Sequence, residues 1–143
     1  MSATLNKWHH ALRSIPNKDH VLPGSANQLF HAWRGDKILG AAAAAAVVET
    51  TDIRDPGSAT SLVSKALSNH FFASHVETLL PQDIFPLYSE SSPRYSERQL
   101  ASMVEAAVAH VHDSCSAASS DNCQGAVSEL AEWLLREANE RPP

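Results

Sequence analysis

The chain has 143 residues, 43% hydrophobic and 19% charged, enough for one domain with a single core and too apolar for a disordered tract. Its longest stretch without a polar side chain, residues 38–48, is eleven residues long, short of the roughly 18 that a bilayer crossing needs, so no membrane span is expected. The formal charge of −5 is uneven: residues 1–72 hold seven Lys/Arg against five Asp/Glu, and residues 73–143 hold four against eleven. Such a chain is not drawn to phosphate backbones at long range, so any nucleic-acid contact must rest on a local patch in the N-terminal half, a cation or a partner.

Taken in order, nearly every segment repeats its apolar residues at helical spacing, and none alternates as a strand would. The first eighteen residues carry no acid and include Lys7, Arg13 and Lys18, a pattern shared by organelle leaders and by amphipathic first helices. Leu5, Trp8, Ala11, Leu12 and Ile15 favour the helix, over about 3–14 and stopped by Pro16. Ser25 is the expected N-cap of a long second helix reaching Thr50. Within it lie six consecutive alanines, Ala41 to Ala46. Alanine has the best helix propensity and no bulk, which predicts a buried central rod that neighbours approach closely.

The turn TDIRDPG follows, with Ser58 as the next expected cap, and residues 58–80 read as two short helices or one bent one ending at Pro81. Residues 81–94 hold three prolines and read as an irregular connection. Ser96 opens a strongly amphipathic helix through Leu100, Met103, Val104, Ala107, Val108 and Val111. A Ser/Ala-rich loop over 114–125 then leads to a last helix with Val127, Leu130, Ala131, Leu134, Leu135 and Ala138 inward. The expected fold is all-α, five to seven helices around the alanine-rich one, as a single domain over 1–143. Cys115 and Cys123 are too few for a disulfide scaffold and read as two free thiols rather than a small loop-closing bridge.

Chemistry points to two acids. Asp36 follows Gly35 one turn before the apolar run, where a helix favours neither residue, and Glu105 borders the apolar stripe of the 96–112 helix. Two carboxylates from two helices are the donor set that holds a hard cation such as Mg²⁺, although acids at such positions are more often solvated or capping. No pair among the eight histidines has the i, i+4 spacing of a zinc helix, and no G-x-S-x-G elbow marks a serine nucleophile. Trp8, Trp33 and Trp133 read as packing residues. Lys7, Arg13, Lys18, Arg34, Lys37 and Lys65 could form a shallow phosphate-binding face.

Three blocks in order, LFHAWRGDKIL (29–39), GSATSLVSKALSNHFFASHVETLLP (57–81) and QLASMVEAAVAHVHD (99–113), resemble the ribonuclease III domain over roughly residues 20–140. The first matches that family's ERLEFLGDAVL at Gly35 and Asp36. The second shares Leu62, Ser64, Leu67, Ser68 and Asn69, and the third shares Ala101, Glu105 and Ala106 with ADxFEALIGAIYLD. The resemblance implies a double-stranded-RNA cutter in which four carboxylates bind Mg²⁺ and activate water, acting as a homodimer or paired with another such chain. Asp36 and Glu105 carry over as catalytic and metal-binding positions; from the basic set, by charge and not by the family motif, Arg34, Lys37 and Lys65 are the residues expected to meet RNA.

The other two acids do not carry over. Their places hold Ala32 and Ser102, while Leu29 replaces an opening glutamate and Arg34 an apolar residue. Two carboxylates neutralise one divalent cation at best. The expectation is therefore a domain that contacts structured RNA with degraded catalysis, within a ribonucleoprotein or protein complex. The alternatives are a working Mg²⁺-dependent endoribonuclease using Asp36 and Glu105, and a helical protein-interaction domain that does not touch RNA. Family members that have lost carboxylates serve in mitochondrial ribosomes, so the resemblance implies an intracellular setting, with the mitochondrion one candidate. No separate double-stranded-RNA-binding domain is expected in this chain.

Overall fold

A computed structural model describes residues 5–85, 95–118 (side chains to 115) and 125–140. Among these residues the fold is all-helical: α1 (Asn6–Arg13), a 3-10 turn (Lys18–Val21), α2 (Gln28–Thr50), α3 (Pro56–Ala66), α4 (Asn69–Ser74), α5 (Val76–Leu79), α6 (Glu97–Ala118) and α7 (Ala126–Glu140). No helix among them is long and apolar enough to cross a membrane.

The helix at the centre is α6 rather than α2. From Leu100 to Val111 no residue of α6 is more than partly exposed, and Met103, Val104 and Ala106 through Ala109 are sealed. It touches α1, α2, α4, α5 and α7. Its own small residues allow that, because a helix surface of alanine lets several neighbours pack at short range. The alanine-rich α2 instead lies on the outside, packed on α6, α7 and α3. Leu39, Ala43, Ala46 and Val47 face inward, whereas Ala41, Ala44, Ala45 and Val48 face solvent. An exposed alanine presents one methyl, so a run of them tolerates water as a run of leucines would not.

Caps fix the ends. Ser96 accepts from the Gln99 amide at 3.1 Å while Gln99 Oε1 accepts from the Ser96 amide at 2.9 Å, a reciprocal box that starts α6. Ser68 caps α4, and Asp55 caps α3 by accepting from the Ser58 amide, with Pro56 in the first turn. The expected caps Ser25 and Ser58 do not serve. Ser25 Oγ donates to Leu22 O at 2.8 Å, closing the preceding turn, and α2 starts from Asn27 in the left-handed region. Residues 56–79 form three helices, not two.

Helix α6 also runs on through Ala118, into the expected loop. Cys115 there is disulfide-bonded rather than free; the sequence's one other cysteine, Cys123, lies outside the described residues. Much of the predicted irregular connection, residues 86–94, lies outside them as well.

Helices α1 and α7 are tied together. Trp8 is sealed; its indole N–H donates to Leu79 O at 2.8 Å, and its amide donates to Glu129 Oε1 of α7 at 3.0 Å. Trp133 is buried as well, but Trp33 is 58% exposed, against the expectation that all three tryptophans pack inside.

Candidate functional site

Helix α2 presses against the backbone of α6 at Gly35. A Cβ built there would collide with the carbonyl oxygen of Glu105 and stand 2.6 Å from its carbonyl carbon. Only glycine allows the two backbones this near, which explains a residue that helix propensity disfavours. The crossing sets the next residue, Asp36, against the side chain of Glu105. The two are hydrogen-bonded across the helices, and Glu105 is more than half buried. That burial, with the bond and the charge of Asp36 added, pushes the Glu105 carboxyl up to about 8. At neutral pH the Glu105 carboxyl therefore largely keeps its proton. Lys37 Nζ stands 3.7 Å from Asp36 Oδ2, further offsetting its charge.

The neighbouring places are neutral. Ala32, one turn before Asp36, is 5% exposed. Ser102, one turn before Glu105, donates to Gln99 O at 2.8 Å and accepts from Gln28 Nε2 at 3.1 Å. Gln28 is 2% exposed and also donates to Val21 O at 3.2 Å. A Gln–Ser bond, carrying no charge, thus stands one turn from Glu105 on α6. Among the described residues no three His, Cys, Asp or Glu side chains are disposed to hold a metal ion. The donor set does not fit Mg²⁺: one charge, a lysine at its edge and a neutral seam beside it are a poor match for a hard dication.

Of the three basic residues expected to meet RNA, two flank Asp36 on α2 and the third lies elsewhere. Arg34 is held by Asp113 of α6 through Nη1–Oδ2 at 3.1 Å and Nη2–Oδ1 at 2.6 Å. That fork raises the Arg34 pKa and lowers that of Asp113. Lys65, on α3, donates to Ala138 O at 2.8 Å near the end of α7. Lys37 is two-thirds exposed. Of the wider basic set, Arg13 pairs with Asp83, and Lys18 donates to Arg13 O and Ile15 O.

Two features were not foreseen in the sequence. The first is an apolar outer face on α2: Leu29 is 75% exposed, Phe30 57%, Trp33 58% and Val48 59%. Phe30 and Trp33 stack on each other, and nothing comes within 4 Å of a Cβ built at Gly40. Near Val48 a groove of about 400 Å³ opens between the end of α2 and α3, lined by Val47, Ile53, Pro56, Ala59 and Val63. The available signal was the 3.6-residue period itself, which divides the apolar run into an inner and an outer stripe. The second is a row of imidazoles from three elements, His20, His31 and His110. Separations of that size along the chain leave no local signal.

No family model, no curated protein and no solved structure matches the chain.

Proposed function

We propose that this chain is a ribonuclease III-like domain that no longer cleaves, and that contacts structured RNA as one half of a pair within a larger complex. The observation that carries the reading is the bond between Asp36 and Glu105 at the Gly35 crossing, because two acids from distant blocks of the resemblance meet. Loss of cleavage rests on charge. One negative charge cannot neutralise two cations against a phosphate, and Ala32 and Ser102 contribute none. A ribonuclease III-type site would draw Mg²⁺ to Asp36 and Glu105; this donor set fits it poorly, and no step is assigned to it.

Contact with RNA would rest on Lys37 and on whatever cations a partner adds, since Arg34 and Lys65 already hold protein acceptors. The outer face of α2 supports pairing with a second copy. Trp33 and Val48 lie seven residues to either side of the Gly40–Ala41 step, about 10 Å along the axis. Two copies crossing antiparallel there would bring Trp33 of each to the groove beside Val48 of the other, a self-complementary two-fold contact. The small residues at the centre permit the approach.

Purified protein incubated with duplex RNA in Mg²⁺ or Mn²⁺ tests both halves. The expected result is retention of the duplex uncut, weakened when Lys37 is replaced by Gln. Cleavage that vanishes in Asp36→Asn or Glu105→Gln would instead establish a working endoribonuclease. The same exposed face that supports pairing also favours a second reading, a protein-interaction domain without RNA contact. Absence of duplex binding by the paired protein would select it.

A further inference from the structure

His20 of the 3-10 turn, His31 of α2 and His110 of α6 form a continuous row, with ring centroids 6.0 Å apart for His20–His110 and 4.6 Å for His31–His110. Each end is tied down. His20 Nε2 lies 3.2 Å from Asn17 Nδ2, and His31 Nδ1 lies 3.0 Å from Arg34 Nη1, which in turn is held by Asp113. In the middle, His110 Nε2 is buried with no hydrogen-bond partner among the described residues.

This arrangement accepts neutral imidazoles and resists charged ones. Arginine has no acceptor to offer, so the Arg34 bond requires a lone pair on His31 Nδ1 and leaves its proton on Nε2. Adding a second proton to His31 must break that bond and set a cation against Arg34. Adding one to His110 Nε2 places a buried N–H⁺ where no acceptor waits. The titratable and charged groups that face His110 are His31 and Arg34 on α2, His20 on the turn, and Asp113 on its own helix; only Asp113 favours a charged ring. Burial first, and then His31 and His20, push His110 below the usual histidine value.

We propose that the row is an acid-sensitive latch holding the 17–22 turn and the start of α2 against α6, and that proton uptake releases that end of the molecule. The end in question carries Leu29, Phe30 and Trp33, so acid would loosen the support beneath the exposed aromatic face. The direction follows from linkage. A histidine whose folded pKa is depressed contributes stability that is complete above its unfolded value, near 6.5, and is lost as the pH falls below it. Other ionisable pairs act elsewhere or oppositely. Glu105 takes up its proton more readily folded than unfolded, favouring the fold in acid.

A local readout is therefore needed. Hydrogen-exchange protection factors, corrected for intrinsic rates, are compared at pH 7.5 and 5.5. Protection across residues 18–34 is expected to fall at least tenfold while that of α7 stays within twofold. The double variant His31→Gln/His110→Gln, which keeps an acceptor for Arg34, should lose most of that pH response. A uniform loss across the chain, no loss at 18–34, or an unchanged response in a folded double variant each overturns the latch. Should the variant fail to fold, a ¹H–¹⁵N titration of the wild-type imidazoles decides. A His110 midpoint at or above the ordinary value overturns the proposal, and one below it, with the amide resonances of residues 18–34 changing over the same pH range, upholds it.

Discussion

Gly35 and Gly40 sit on the same helix and make opposite predictions. At Gly35 the added methyl of alanine meets backbone, which cannot rotate away, so Gly35→Ala must push α2 off α6. The expected cost is about 3 kcal/mol in urea unfolding, as for overpacking a rigid core. At Gly40 nothing opposes the methyl, and Gly40→Ala should gain about 0.5–1 kcal/mol from helix propensity alone. Glu105 gives a pH-dependent counterpart. Its folded value near 8 exceeds the unfolded value of 4.5, so folding bears no penalty from this group below the lower value. The penalty grows as pH rises between the two and is complete above the higher. Glu105→Gln should therefore match the wild type at pH 4 and exceed its stability by roughly 1–2 kcal/mol at pH 9, a figure reduced for solvent screening. Thermal melts across that range check the sign.

At the scale of elements, the caps separate what was legible from what was not. The Ser96 start of α6 is legible from a serine followed by Glu97 and an amphipathic run; the structure adds Gln99, which completes the box three residues on. Ser96→Ala should cost about 1 kcal/mol. Ser58 was misread because Asp55, three residues earlier, takes the same role with Pro56 in place. Ser58→Ala should change stability by less than about 0.5 kcal/mol, and Asp55→Ala should cost about 1 kcal/mol. Denaturant midpoints of the three variants decide. The acids at 36 and 105 were singled out because each breaks a local rule, a Gly-Asp pair ahead of an apolar helix and a glutamate at the rim of a core stripe. The imidazole row breaks none, since its members come from separate elements and each looks ordinary alone. Burial of the eleven-residue apolar run was overstated for a related reason. Alanine's small size predicts close packing on every side, whereas six alanines also present so little apolar area that half of them can face water.

Across the whole molecule, two helices divide the roles that the alanine run alone had been expected to fill. Helix α6 is the one enclosed, and α2 offers one face to it and the other to solvent. If that outer face joins two copies, Trp33→Ser removes the bulk that fills the partner's groove and should weaken the dimer at least thirtyfold, about 2 kcal/mol. Sedimentation equilibrium reads the change directly, with the monomer mass dominating at concentrations where the wild type is paired.

The amide of Trp8 has a consequence for how the chain reaches this state. Its acceptor, Glu129, lies 121 positions downstream, so α1 is completed by a helix made long after it. During synthesis the early segments have no finished surface to settle on until α7 emerges. Folding should then occur in one late cooperative step, and a fragment ending before residue 126 should remain without a protected core.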